Sequence, residues 1–250
     1  MRAIRGSNPL PVKKARDCNA RQRLSWPLDS QTSMGTVHDT LRTELAVAAA
    51  RLIAEEGCDY RQAKRRALQE LAGSDADARG VLPDNAQIEN ELRRHLGLFA
   101  ADTHPALLAG LRRTAASVMQ ELDAFRPHLV GAVLNGTATK YSNIELHLFT
   151  DSAKDVEIAL MNAGIDFDTQ AGDAEQRPTA QECLIFTVPA REAGLPAALR
   201  LIGVRLHVFD DSAIRVAPRF RATSQFELHP VAASGRANLA SVRRLIAEST

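Results

Sequence analysis

The sequence predicts an α+β fold in which a run of helices leads into a small mixed β-sheet with a flanking helix. Three observations carry this. Apolar residues recur every three to four positions from Leu41 to Phe125. Beyond Arg126-Pro127 the period gives way to short apolar runs and a stretch of strict alternation. Hydrophobic residues make up 45% and charged residues 24% of the 250-residue chain, close to the average for globular proteins, so a sizeable core can form and wholesale disorder is excluded.

Four parts follow in order: a disordered basic arm over 1–36, a helical unit over 37–126, an α/β core over 127–216, and a C-terminal extension over 217–250 ending in a helix. Residues 1–33 carry seven basic and two acidic groups, a net +5 that leaves −4 for the remainder. With Pro9, Pro11 and Pro27 and no apolar period, the arm cannot bury enough surface to order itself.

In the helical unit, Leu41, Leu45, Ala48 and Leu52 mark a first helix, which Gly57 closes. Asp59 with Gln62 resembles a capping box for a second, carrying Ala63, Ala67, Leu68 and Leu71 and ending at Gly73. Asp84 caps a third through Ile88, Leu92, Leu96 and Phe99. Thr103 with Pro105 starts the fourth, whose apolar positions from Leu108 to Phe125 give it the length to be the spine of the unit.

In the core, Leu129 to Leu134 reads as a strand feeding a turn at Asn135-Gly136-Thr137. Asn143 to Phe149 alternates, placing Asn143, Glu145 and His147 on one face and Ile144, Leu146 and Leu148 on the other. Ser152 with Asp155 resembles a capping box for a helix closed by Gly164. Residues 169–181 read as a polar loop and Glu182 to Val188 as a strand, while 195–202 is open between helix and strand. Val204 to Phe209 is a further strand, and Asn238 to Ala247 the final helix.

A formal charge of +1 supplies no overall pull toward nucleic acid or anionic membrane. The basic cluster Arg61, Lys64, Arg65, Arg66 reads as a solvated helix face diluted by nearby acids. No apolar run approaches the roughly 18 residues that span a bilayer. The three cysteines lack any C-x-x-C spacing, and a reduced, cytoplasmic setting is expected.

Gly136-Thr137, a short loop, and Ser142-Asn143-Ile144-Glu145 together resemble the nucleotidyltransferase superfamily of polymerase-beta-like fold, which is marked by a strand ending in Gly-Ser, a loop, and a strand reading Ser-Asp-x-Asp or Ser-Asp-x-Glu. Within that superfamily the chain is similar to bacterial proteins described as nucleotidyltransferase-like. The resemblance implies nucleotide binding by Gly136, Thr137, Ser142 and Arg205, with Glu145 as the catalytic carboxylate and Mg2+ as the metal. It also implies a departure, because the amide Asn143 stands at the first carboxylate position and Arg205 and His207 where the family carries a third. Glu145 with His147 is the remaining metal-ligand pair. The plain alternative is the wet face of a sheet with Glu145 and Arg205 as a cross-strand ion pair.

Three functions follow: a nucleotide-binding protein with weak or lost transferase activity on a nucleoside triphosphate, a pseudoenzyme that serves as a structural or protein-binding module, and a nucleic-acid-binding regulator. The last rests on Ala46 to Gly57, which resembles the first helix of TetR-type repressors. It ranks lowest, because Asp59 opens straight into another amphipathic helix.

Overall fold

The computed structural model describes residues 30–72, 81–171, 180–216 and 228–249. Three helices come first: α1 (Ser30–Glu56), α2 (Tyr60–Ala72) and α3 (Asn85–Phe99). The chain then runs α4 (His104–Glu121), β1 (His128–Val130), α5 (Gly131–Asn135), β2 (Ile144–Phe149) and α6 (Ala153–Asn162). It continues β3 (Asp168–Ala171), β4 (Glu182–Pro189), β5 (Leu201–Phe209), α7 (Pro230–Ala233), β6 (Ala237–Asn238) and α8 (Leu239–Glu248). The fold is α+β, as the change of period predicts.

The local signals explain most boundaries. Asp84 and Gln87 form the complete capping box of α3, with both reciprocal hydrogen bonds present. Asp59 Oδ1 accepts from the Gln62 amide at 2.7 Å, satisfying one orphan donor of α2. Asn238 caps α8 in the same way, accepting from Ser241 N at 2.9 Å. Ser152 precedes α6 but makes no side-chain cap bond, so the box expected with Asp155 is not formed. The Gly73 stop lies outside the described residues.

The six strands are ordered β3-β4-β5-β2-β1-β6. β2 and β5 are parallel, and the other neighbours are antiparallel. Because registered residues share a face, Leu129, Leu146, Leu206 and Leu184 form a buried row across four strands. The main core lies on that face, where α4, α6 and α8 pack their apolar stripes. The opposite face carries Val130, Glu145, Arg205 and Ile185 in one row, and His128, His147, His207 and Cys183 in the next.

The structure corrects the expected organisation at four places. α1 begins at Ser30, so it reaches into the stretch read as an arm; residues 1–29 lie outside the described ones. α4 is not the spine of the helical unit: Leu107, Leu111, Ala115, Val118, Met119 and Leu122 join the sheet core, while a separate cluster around Leu45, Ala49, Ile88 and Leu92 holds α1 to α3 alone. An amphipathic stripe states that a face is buried but not against what. The apolar run 129–134 is a three-residue strand followed by a short helix, with Gly136 in the left-handed C-cap position at φ 87°. Residues 168–171 form β3 rather than loop, paired with β4.

Candidate functional site

A cavity of about 210 Å3 lies between the helical unit and the polar face of the sheet. Thr137, Ser142, Asn143, Glu145 and Arg205 line it together with Asp59 and Tyr60 of the helical unit. Five of the residues read from the sequence are thus brought to one place. Gly136 and His147 are not in its lining. Gly136 faces Leu108 and Arg112, and the His147 ring packs against His207 and Phe209 with centroids 5.6 and 4.7 Å away.

The glycine that matters at the strand end is Gly131, immediately after β1. It has φ 70°, and a Cβ there would stand 2.7 Å from Glu145 Oε2. No other residue leaves room for the carboxylate across the β1–β2 ladder. A Cβ at Gly203 would likewise collide with Asn143 Oδ1, so β5 is pared back to admit the amide.

The loop between α5 and β2 is self-tied. Thr139 N donates to Ser142 Oγ at 2.9 Å, Ser142 N donates to Thr139 O at 3.1 Å, and Tyr141 N donates to Thr139 Oγ1 at 3.2 Å. Thr137 donates both its amide and its hydroxyl to Asn135 Oδ1, at 3.0 and 2.7 Å. Its hydroxyl hydrogen is therefore committed within the loop rather than offered to a phosphate, contrary to the sequence expectation. His104 Nε2 donates to Ala138 O at 3.0 Å and pins the loop to α4. Below the loop, Arg112 donates to the carbonyls of Val133 and Leu134, both at 3.1 Å.

Electrostatically the cavity is a low-dielectric pocket holding one carboxyl and one guanidinium. Burial raises the pKa of Glu145, and Arg205, its registered neighbour on β5, opposes that rise. The Arg205 Nε is buried without a hydrogen-bond partner. Burial also holds the Tyr60 phenol well above its ordinary value, with Glu89 and Glu145 adding to the rise, so Tyr60 stays protonated. Burial, and then His207, pushes His147 down to about 3, leaving it neutral.

This donor set does not fit two divalent ions. Glu145 is the single carboxylate the sheet contributes to the lining, burial raises its pKa, and a guanidinium sits beside it. Asp59, the other carboxylate in the lining, is spent on the α2 cap. Among the described residues no group of three or more His, Cys, Asp or Glu side chains is arranged to hold a metal ion.

Sequence reasoning missed Tyr60, which lines the cavity from the helical side, and Glu89 and Arg93, which stand behind it. The Tyr60 hydroxyl donates to the Glu89 carboxylate, from α2 to α3 within the helical unit, and lies beside the Thr137 hydroxyl. Arg93 lies 3.5 Å from Glu89 and donates to Asn135 O at 3.4 Å. A signal was present in the spacing of Tyr60, Ala63 and Ala67, which puts the phenol on the buried stripe of α2. The basic cluster of α2 is largely engaged within the unit: Arg66 pairs with Glu56 at 2.5 Å, and Lys64 donates to Asn85 Oδ1 at 2.8 Å.

Among the described residues no helix is long and apolar enough to cross a membrane. Comparison with protein-family models, with curated proteins and with solved structures finds no match to this chain.

Proposed function

We propose that the protein binds a nucleotide at the Glu145–Arg205 cavity and does so without two-metal transferase chemistry, as a nucleotidyltransferase-like protein with weak or lost catalytic power. The convergence of Ser142, Asn143, Glu145 and Arg205 on one cavity carries this reading. Arg205 brings a buried N–H in need of an acceptor, which a phosphate oxygen satisfies. Burial shifts Glu145 toward its neutral form, in which it joins the Asn143 amide as a donor to the same kind of group, where a pair of ionised carboxylates would need Mg2+ to tolerate it.

Thermal unfolding of the full chain with ATP, GTP, CTP or UTP, each in magnesium and in chelator, tests the reading. A ligand present at 100 times its Kd stabilises by about 2.7 kcal/mol, or roughly 5–10 °C in Tm. One nucleotide is expected to produce that rise in chelator as well as in magnesium, and Arg205→Gln to abolish it. No rise with any of the four overturns the proposal.

A second reading, a protein-binding module, is favoured by Leu98 and Phe99, which are 70% and 76% exposed at the end of α3.

A further inference from the structure

The helical unit and the sheet core are built as separate bodies that meet over the cavity. Among the described residues their buried apolar side chains form two distinct clusters, with no shared core between them. Among the described residues what crosses the joint is polar or a surface contact: the Tyr60 hydroxyl set beside Thr137, the Arg93–Asn135 hydrogen bond at 3.4 Å, and the Tyr141 ring stacked on Gly57, where a Cβ would meet Cγ at 2.7 Å. The joint is hollow on both sides of the 136–142 loop. The Glu145–Arg205 cavity lies on one side; a larger one of about 440 Å3, lined by Ala54, Leu96 and Ala100 from the helices and by Leu107, Lys140 and Pro196 from the core, lies on the other. Thr139 lines both. Among the described residues the chain passes between the two bodies once, through the turn at 100–103.

As it stands the smaller cavity holds the volume of about seven water molecules, below the roughly 300 Å3 at which small-molecule pockets begin. Tyr60 occupies its helical side.

We propose that α1 to α3 form a hinged cover, closed in this structure, which Arg93 latches to Asn135 while Tyr60 plugs the helical side of the cavity, and that the cavity admits a ligand only when this joint opens. The phenol suits this role. It stays protonated beside Glu145 and donates to Glu89 of the same cover, so it moves with the cover as a plug rather than serving as a nucleophile. The hinge is the 100–103 turn, where the amides of Thr103 and His104 both bond to the Ala100 carbonyl.

Hydrogen–deuterium exchange on the full chain, with no nucleotide present, tests the cover independently of the ligand assigned above. Tyr60→Phe keeps the ring and removes the hydroxyl set beside Thr137, and Arg93→Ala removes the Asn135 hydrogen bond. In each variant the amides of 137–142 are expected to exchange about five to thirty times faster, the factor for one or two kcal/mol. Those of 45–52 in α1 and 144–149 in β2 are expected to keep their rates. Unchanged exchange at 137–142 in both variants overturns the proposal, and so does acceleration of both cores together, which would make them one cooperative unit. The chain's two tyrosines both sit at this joint, which gives a second readout. In a Tyr141→Phe background, nitration of Tyr60 by tetranitromethane should rise by a similar factor when Arg93 is replaced by Ala, and an unchanged rate overturns the proposal.

Discussion

Replacing Arg112 by methionine should cost less than replacing it by lysine, against the usual ranking of conservative changes. The amides of Gly136 and Thr137 both turn back to the Ala132 carbonyl, which leaves the carbonyls of Val133 and Leu134 to the Arg112 guanidinium. Both residues are buried, so losing the donor costs about 2 kcal/mol per carbonyl, or about 4 in all. Arg112 is itself only 6% exposed, and burial lowers its pKa from 12.5 to about 10. Removing that charge therefore returns about 3 kcal/mol. Methionine should destabilise by about 1 kcal/mol net, a fall of roughly 2–4 °C in Tm. Lysine keeps a buried charge but presents a point donor that serves one carbonyl, so about 2 kcal/mol is lost with nothing regained. Thermal unfolding followed by circular dichroism at neutral pH decides the order. A methionine variant more stable than the parent, or a lysine variant better than methionine, would refute the reasoning.

Two further outcomes follow from the cavity wall. Gly131→Ala combines a left-handed backbone with a Cβ 2.7 Å from Glu145 Oε2, whereas Gly164→Ala, at φ 68°, meets nothing within 4 Å. In urea unfolding both should lose stability by about 1–2 kcal/mol, with Gly131→Ala the worse; equal losses would mean the carboxylate does not need the gap. Burial raises the Glu145 pKa above its ordinary 4.5, so the folded chain keeps a proton that the unfolded chain has released. That contribution is complete below pH 4.5 and fades as pH rises through the folded value. Glu145→Gln should accordingly gain Tm over the parent between pH 4 and pH 8, and a pH-independent difference would refute the assignment.

Period and alternation made much of this legible. The switch at Arg126-Pro127 separated helices from strands, and the alternation from Asn143 to Phe149 placed Glu145 on the face that lines the cavity. What escaped was information that short segments do not hold. A three-residue strand joined to a five-residue helix reads as one apolar run, so the sequence points to Gly136 as the strand-end glycine where the structure has Gly131. β6 is two residues of edge pairing against β1, too short for any pattern. The allegiance of α4 was invisible because its stripe suits either core, and only the packing of Leu111 and Met119 on the sheet assigns it. Tyr60 and Arg93 reach the site from 77 and 42 residues upstream of Thr137 and Asn135, a distance along the chain that no local rule spans.

The brevity of the 100–103 turn sets how the two bodies associate. A joint of a few hydrogen bonds, each contributing about 1 kcal/mol, would not hold separate molecules together. A tether of this length keeps the helices near the sheet at an effective concentration in the millimolar range or above. Closure is thus governed by proximity more than by adhesion, which lets the same contacts form and break rapidly. A single backbone cleavage within the turn would make the association bimolecular, and at micromolar protein the sheet would stand uncovered.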